Sequence, residues 1–117
     1  MPNYIFLLYD NPAAFENVSP EEIQGIIEGF VEWKARLRGE GVLLRSDKLQ
    51  DGTGRVLRKA DGKVVVTDGP YTESNEVIGG VFAIEARDYA HAVEIAGSCP
   101  QLGYGSVEVR EIEPVGG

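Results

Sequence analysis

The 117-residue chain has one cysteine, one histidine, and eleven lysines and arginines against nineteen acids. A lone Cys99 excludes an internal disulfide and any cysteine-cluster metal site. Its neighbours, Ser98 and Pro100, offer no base to activate it, so Cys99 reads as a small buried hydrophobe and not a nucleophile. A net charge of −8 opposes a phosphate backbone, which excludes nucleic acid as the expected partner. No apolar run reaches the length of a membrane span. The opening MPNYIFLLYD has neither a basic leader nor a small-residue cleavage site, so it reads as a first strand, and a cytoplasmic location is expected.

What is present describes one folded domain over residues 1–117, with 43% hydrophobic and 26% charged residues. Residues 3–9, NYIFLLY, form a strand closed by Asp10-Asn11-Pro12. Ser19 caps a helix, with Pro20 at its first position and Glu22 closing a capping box. Ile23, Ile26, Ile27, Phe30, Val31 and Leu37 give that helix its apolar stripe, with Trp33 at the edge, and Gly39 or Gly41 ends it. Residues 42–49 resume a strand. Asp61-Gly62 then marks a tight hairpin within residues 54–68, and Val64 to Val66 read as a central strand. Residues 76–86 give the next strand, where Gly79-Gly80 signals a bulge or close backbone approach. Asp88 caps a second helix, with Tyr89, Ala92, Val93, Ile95, Ala96 and Cys99 on its stripe and Pro100 at its end. Residues 106–112 alternate as a half-buried last strand.

This order is an α+β, ferredoxin-like split βαβ with an added β-hairpin, and right-handed crossovers put both helices on one sheet face. In the first strand Tyr4, Phe6 and Leu8 point one way while Ile5, Leu7 and Tyr9 point the other. Two helices cover one face only. A second copy packed sheet to sheet is the economical cover for the other, so a homodimer is expected.

The run DGKVVVTDGPYTESNEVIGGVFAIEARDYAHAVEIAGSCP followed by GSVEVREIEP resembles the YCII-related family, and within it the branch named for its DGPF motif; YIFLLYD and the SPEE helix start extend the likeness to nearly the whole chain. Tyr71 stands where the motif has Phe. The resemblance implies a dimeric α/β-barrel of ferredoxin-like subunits. It also implies a range of chemistries, since the wider family includes members proposed to use a His and Asp pair as acid and base, and a branch that dehalogenates aromatic compounds. DGPF-branch proteins are often encoded beside extracytoplasmic-function sigma factors. The sole histidine, His91, falls in the second helix and not in the early part of the chain where that pair's His lies, so the pair is not reproduced.

From the residues themselves, Asp68 is the strongest catalytic candidate. A turn aspartate ordinarily accepts from the N–H two residues on, but that residue is Pro70, which has none. Its carboxylate can therefore pin the loop otherwise, act as a general base or anchor a ligand. Tyr9, Asp10 and Tyr71 converge on the same cleft if the strand order holds, and Tyr71 is expected to plug the core. Arg45 and Arg110 are the cations available to an anionic ligand, with surface ion pairing as their ordinary role. His91 lies off its stripe, toward Glu94 and Ser98, and is expected to be exposed and inert. Neither a metal nor a cofactor is expected: Glu73 and Glu76 form no ligand pattern with a histidine, and no phosphate loop is present. The expected function is small-molecule binding, with proton transfer by Asp68 as the mechanism if chemistry occurs. The competing class, implied by the family's gene association, is a non-catalytic regulatory or interaction module working with a sigma factor.

Overall fold

The computed structural model describes residues 1–69 and 76–114. Six strands and two α-helices run in the order β1 (Asn3–Asp10), α1 (Pro20–Gly39), β2 (Leu43–Lys48), β3 (Arg55–Ala60), β4 (Lys63–Asp68), β5 (Val77–Glu85), α2 (Tyr89–Ala96) and β6 (Gly105–Glu111). Short 3-10 turns at Pro12–Phe15 and Pro100–Gly103 follow β1 and α2. The local signals act as expected. Ser19 Oγ accepts from the Glu22 N–H at 3.1 Å with Pro20 at the first helical position, and Asp88 Oδ1 accepts from the His91 N–H at 2.9 Å. Asp61 and Gly62 have φ of 50° and 78°, the double left-handed geometry that a two-residue hairpin turn needs to match strand twist.

Strands β2, β5, β1 and β6 form one antiparallel sheet in that order, the arrangement of a ferredoxin-like sheet. In β1, Tyr4, Phe6 and Leu8 are buried while Ile5, Leu7 and Tyr9 are half-buried. Cross-strand neighbours repeat this division: Phe6 pairs with Phe82 and Val109, whereas Leu7 pairs with Val81 and Glu108. Both helices pack on the Phe6 side. Trp33 and Leu37 of α1 and Ala92, Ile95 and Ala96 of α2 join Tyr4, Phe6, Phe82 and Ile84 in one core. The opposite side carries an apolar centre of Ile5, Leu7, Val81 and Ala83. Arg45 and Arg110 share its Ile5 row, and Asp47 and Glu108 share its Leu7 row.

Three expectations are corrected. Val64, Val65 and Val66 do not form a central strand: among the described residues β4 pairs only with β3, in a separate two-stranded ribbon, and all three valines are exposed. Alternation and β-branching identify a strand but carry no information about which sheet it joins. In α1 the buried stripe is rotated. Trp33 is 4% exposed and is core, while Ile23, Ile27 and Val31 face outward at 43, 50 and 58%. A helix whose apolar residues span more than half its circumference leaves its inward face to be chosen by packing, and the larger ring is the one that fills the space over Phe82. His91 is half-buried, and its Nδ1 accepts from the Arg87 N–H at 3.0 Å, which makes it a loop-bracing group with its remaining proton on Nε2.

Cys99 is buried as expected, 4% exposed, and burial pushes its thiol from 9.0 up to about 11. The folded protein keeps a proton that the unfolded chain releases above pH 9.0, so this contribution to stability is whole below that value and is lost as pH rises toward about 11. A Cys99→Ala variant is expected to lose less stability than the native chain across that window. Parallel denaturant-midpoint slopes for the two would refute this.

Candidate functional site

Where β1 ends, three elements meet. The register of β1 against β5 shifts between Leu8 and Tyr9, so that Gly79 is the extra residue of a bulge. A side chain at Gly79 would overlap the Asp10 carboxylate, which therefore lies directly over the bulged backbone. At the start of β6, a Cβ on Gly105 would overlap the Tyr9 carbonyl oxygen and crowd Gln101 Nε2 at 2.8 Å. Both glycines are thus required for close approach, and between them Asp10 is seated.

Gln101 completes the seat. Its side chain is 2% exposed, and Nε2 donates both its hydrogens, one to the Tyr9 carbonyl and one to Asp10 Oδ1, each at 2.7 Å. A buried amide with both hydrogens used fixes its partners firmly, because releasing either would leave a desolvated polar atom. Asp10 keeps Oδ2 and the remaining lone pairs of Oδ1 as acceptors.

Next to Asp10 lies Tyr104, whose phenol is held well above its ordinary value, first by burial and then by the negative charge of Asp10. It therefore stays a neutral donor throughout the physiological range. The Tyr104 ring meets Phe15 edge to face at 5.0 Å and lines an open cleft of about 420 Å³ between the Pro12–Phe15 turn and the first turns of α1. Phe15, Val18 and Ile26 supply its apolar walls and Glu22 a carboxylate. That volume falls in the range of sites for small organic molecules.

The other sequence candidates are dispersed. Tyr9 does not converge with Asp10: adjacent strand residues point to opposite faces, and Tyr9 donates to Glu108 Oε1 at 2.9 Å on the open sheet side. That bond, ahead of burial, raises the Tyr9 phenol. Arg45 pairs with Asp47 at 2.7 Å and Arg110 lies 3.7 Å from Glu108, both as exposed surface pairs on that same side. Asp68 ends the ribbon with its side chain 94% exposed, 3.7 Å from Arg55. Its neighbour Gly69 brings the two feet of the ribbon together, donating its N–H to the Gly54 carbonyl at 2.9 Å where a Cβ would crowd the Gly54 carbonyl carbon at 3.1 Å. Tyr71, Pro70 and Glu73 lie outside the described residues. The reading of the sequence missed Gln101 and Tyr104. The signal available for them was Gly105, a glycine opening a strand directly after a tyrosine.

The YCII-related domain pattern matches residues 3–115, all but four residues of the chain. The chain belongs to the YCII-related family. No curated protein matches this YCII-related domain. Among solved structures it is similar to 5-chloro-2-hydroxyhydroquinone dehydrochlorinase from Burkholderia phenoliruptrix AC1100 in complex with 2,5-dihydroxybenzoquinone. The identity is 14%, 95% of this chain and 93% of that one are covered, and the TM-score is 0.47. Among the described residues, no helix of the YCII-related domain is long and apolar enough to cross a membrane.

Proposed function

We propose that this protein binds a small organic molecule, with an apolar or aromatic body and at least one donor group, in the cleft beside Tyr104. The Phe15, Val18 and Ile26 walls suit the body of such a molecule, and Glu22 and the Tyr104 hydroxyl suit its polar atoms. Proton transfer, where it accompanies binding, is assigned to Asp10. Asp68 is a poorer candidate for this role because its carboxylate stands exposed on the ribbon and does not line the cleft. The observation that carries the reading is the seat of Asp10: two glycines without room for a side chain and a buried glutamine amide hold one half-buried carboxylate whose charge acts on Tyr104, a wall of the cleft. Within the family we assign the chain to the DGPF branch on its Asp68-Gly69-Pro70-Tyr71, acting in the cytoplasm as a homodimer joined through the open sheet face.

Gly25 lines the cleft, and a Cβ added there meets nothing within 4 Å. Gly25→Leu therefore fills the cleft while removing a glycine from the helix, a change worth up to ~1 kcal/mol in favour of folding. A thermal-shift screen of phenols, aromatic acids and small amines is expected to yield compounds that raise the native Tm by several degrees and fail to do so in Gly25→Leu. Compounds that shift both proteins equally would place binding elsewhere. Asp10→Asn is then expected to leave the cleft compounds bound and to abolish any turnover they show.

A further inference from the structure

The ribbon of β3 and β4 is an arm. Among the described residues it pairs with no strand of the larger sheet and contributes no residue to the core. The chain as a whole has a radius of gyration of 16.2 Å, against roughly 13 Å for a compact domain of this length. A two-stranded ribbon alone in water is marginally stable at best. This one nevertheless displays Leu57, Val64, Val65 and Val66, between 42 and 62% exposed, and pairs Leu57 with Val66 and Lys59 with Val64. By alternation those two pairs lie on one face of the ribbon, an apolar surface with a cation on it.

Charge is divided between arm and body. Residues 55–68 hold four of the eleven basic side chains and two of the nineteen acids, so the arm is +2 and the remaining chain −10. On the body, Ile23, Ile27 and Val31 recur every four residues along α1 as an exposed apolar stripe, and Gln24, Glu28 and Glu32 form a polar and acidic stripe directly beside it. An apolar strip beside acids matches an apolar ribbon face carrying a lysine. The position fits as well. The other flank of α1 is taken: Gly29 faces Pro100, and Trp33 Nε1 and Arg36 Nη2 both donate to Ser98 Oγ. At roughly 100° per residue, Ile27 and Val31 lie nearly opposite Gly29. Since α1 packs against β2 while α2 packs against β6, the exposed stripe overlooks the β2 edge, where the chain leaves for the arm.

We infer that the β3–β4 arm of one copy lies along the Ile23–Ile27–Val31 stripe of a second copy, with Lys59, the cation on the Val64 face, against Glu28 and Glu32, each copy clasping the other. This rests on the homodimer proposed above. Stacked sheets lie ~10 Å apart, and a ribbon of six residues per strand extends ~20 Å, so an arm leaving one β2 edge reaches past the partner's sheet to its helix layer.

A double variant Val64→Cys/Ile27→Cys tests it; the native Cys99 is buried and silent. Under mild oxidation a covalent dimer on a non-reducing gel is expected. A chain cross-linked to itself would overturn the inference, because the arm would then fold back on its own helix. A covalent dimer from Val64→Cys/Leu7→Cys and none from the first variant would also overturn it, placing the arm on the open sheet. Light scattering of the native chain separates the two readings. A mass of 12.7 kDa defeats the homodimer itself, while twice that mass with no Val64–Ile27 cross-link defeats the arm alone. Lys59→Glu is expected to raise the dimer dissociation constant several-fold, and mixing with Glu28→Lys/Glu32→Lys chains to restore association. An unchanged constant in the first variant would count against the inference.

Discussion

Trp33→Ala is expected to lower the unfolding free energy by ~3–5 kcal/mol, the cost of deleting a fully packed large aromatic. The ring is 4% exposed and sits 5.1 Å from the Phe82 ring and 6.4 Å from that of Phe30, at the junction of α1 with the sheet. Its removal opens a cavity walled by elements that cannot close on one another without breaking the sheet register. The indole N–H adds a smaller contribution through Ser98 Oγ at 3.0 Å. Trp33→Phe keeps most of the ring volume, and Ser98 Oγ keeps the Arg36 donor at 2.7 Å, so this change should cost nearer ~1 kcal/mol. Urea denaturation of both variants in dilute solution checks the ordering. A Trp33→Ala loss below that of Trp33→Phe would mean that the indole is not the core of this helix.

Gly105→Ala carries the next largest effect, ~1–3 kcal/mol of overpacking, together with loss of ligand response. Its methyl group collides with the carbonyl of Tyr9, which is fixed on both sides because β1 pairs with β5 and β6 at once. Gly79→Ala is a different case. There the collision is with the end of the Asp10 side chain, which can swing away at the cost of its bond to Gln101. Adding Asp10→Ala should therefore recover much of the Gly79→Ala loss and none of the Gly105→Ala loss. Denaturant midpoints for the two double-mutant cycles read this out. Equal rescue in both would show that Gly105 is constrained by the carboxylate and not by the backbone.

Much of the fold was legible because its signals are local. Ser19-Pro20 and Asp88 start helices through bonds made within three residues, and Asp61-Gly62 closes a hairpin through two dihedral angles. Gly79 was legible too, as the bulge that the Gly79-Gly80 pair signals, though the group that crowds it is the Asp10 side chain and not a neighbouring backbone. The site was less so. Asp10 was among the candidates, yet the residues that make it a site, Gln101 and Gly105, are more than ninety positions away, and nothing in the local pattern at 101–105 marks a buried amide. Asp68 stood out because Pro70 removes its usual turn partner; among the described residues the ion-pair partner of its exposed carboxylate is Arg55, since the strand it ends belongs to the arm.

The amino-acid sequence by itself determined the order of strands and helices, the turn at Asp61-Gly62 and a sheet apolar on both faces, because propensity, capping and alternation are decided among residues a few positions apart. The tertiary structure alone decided that Trp33 and not Ile27 faces the core, that Val64 to Val66 stand out on an arm, and that Tyr9 and Asp10 serve opposite faces of one strand with different partners. Those outcomes depend on which surfaces meet. A helix with apolar residues on more than one flank, or a strand suited to any sheet, can satisfy its local preferences in several placements, and only the packing of the whole chain selects one.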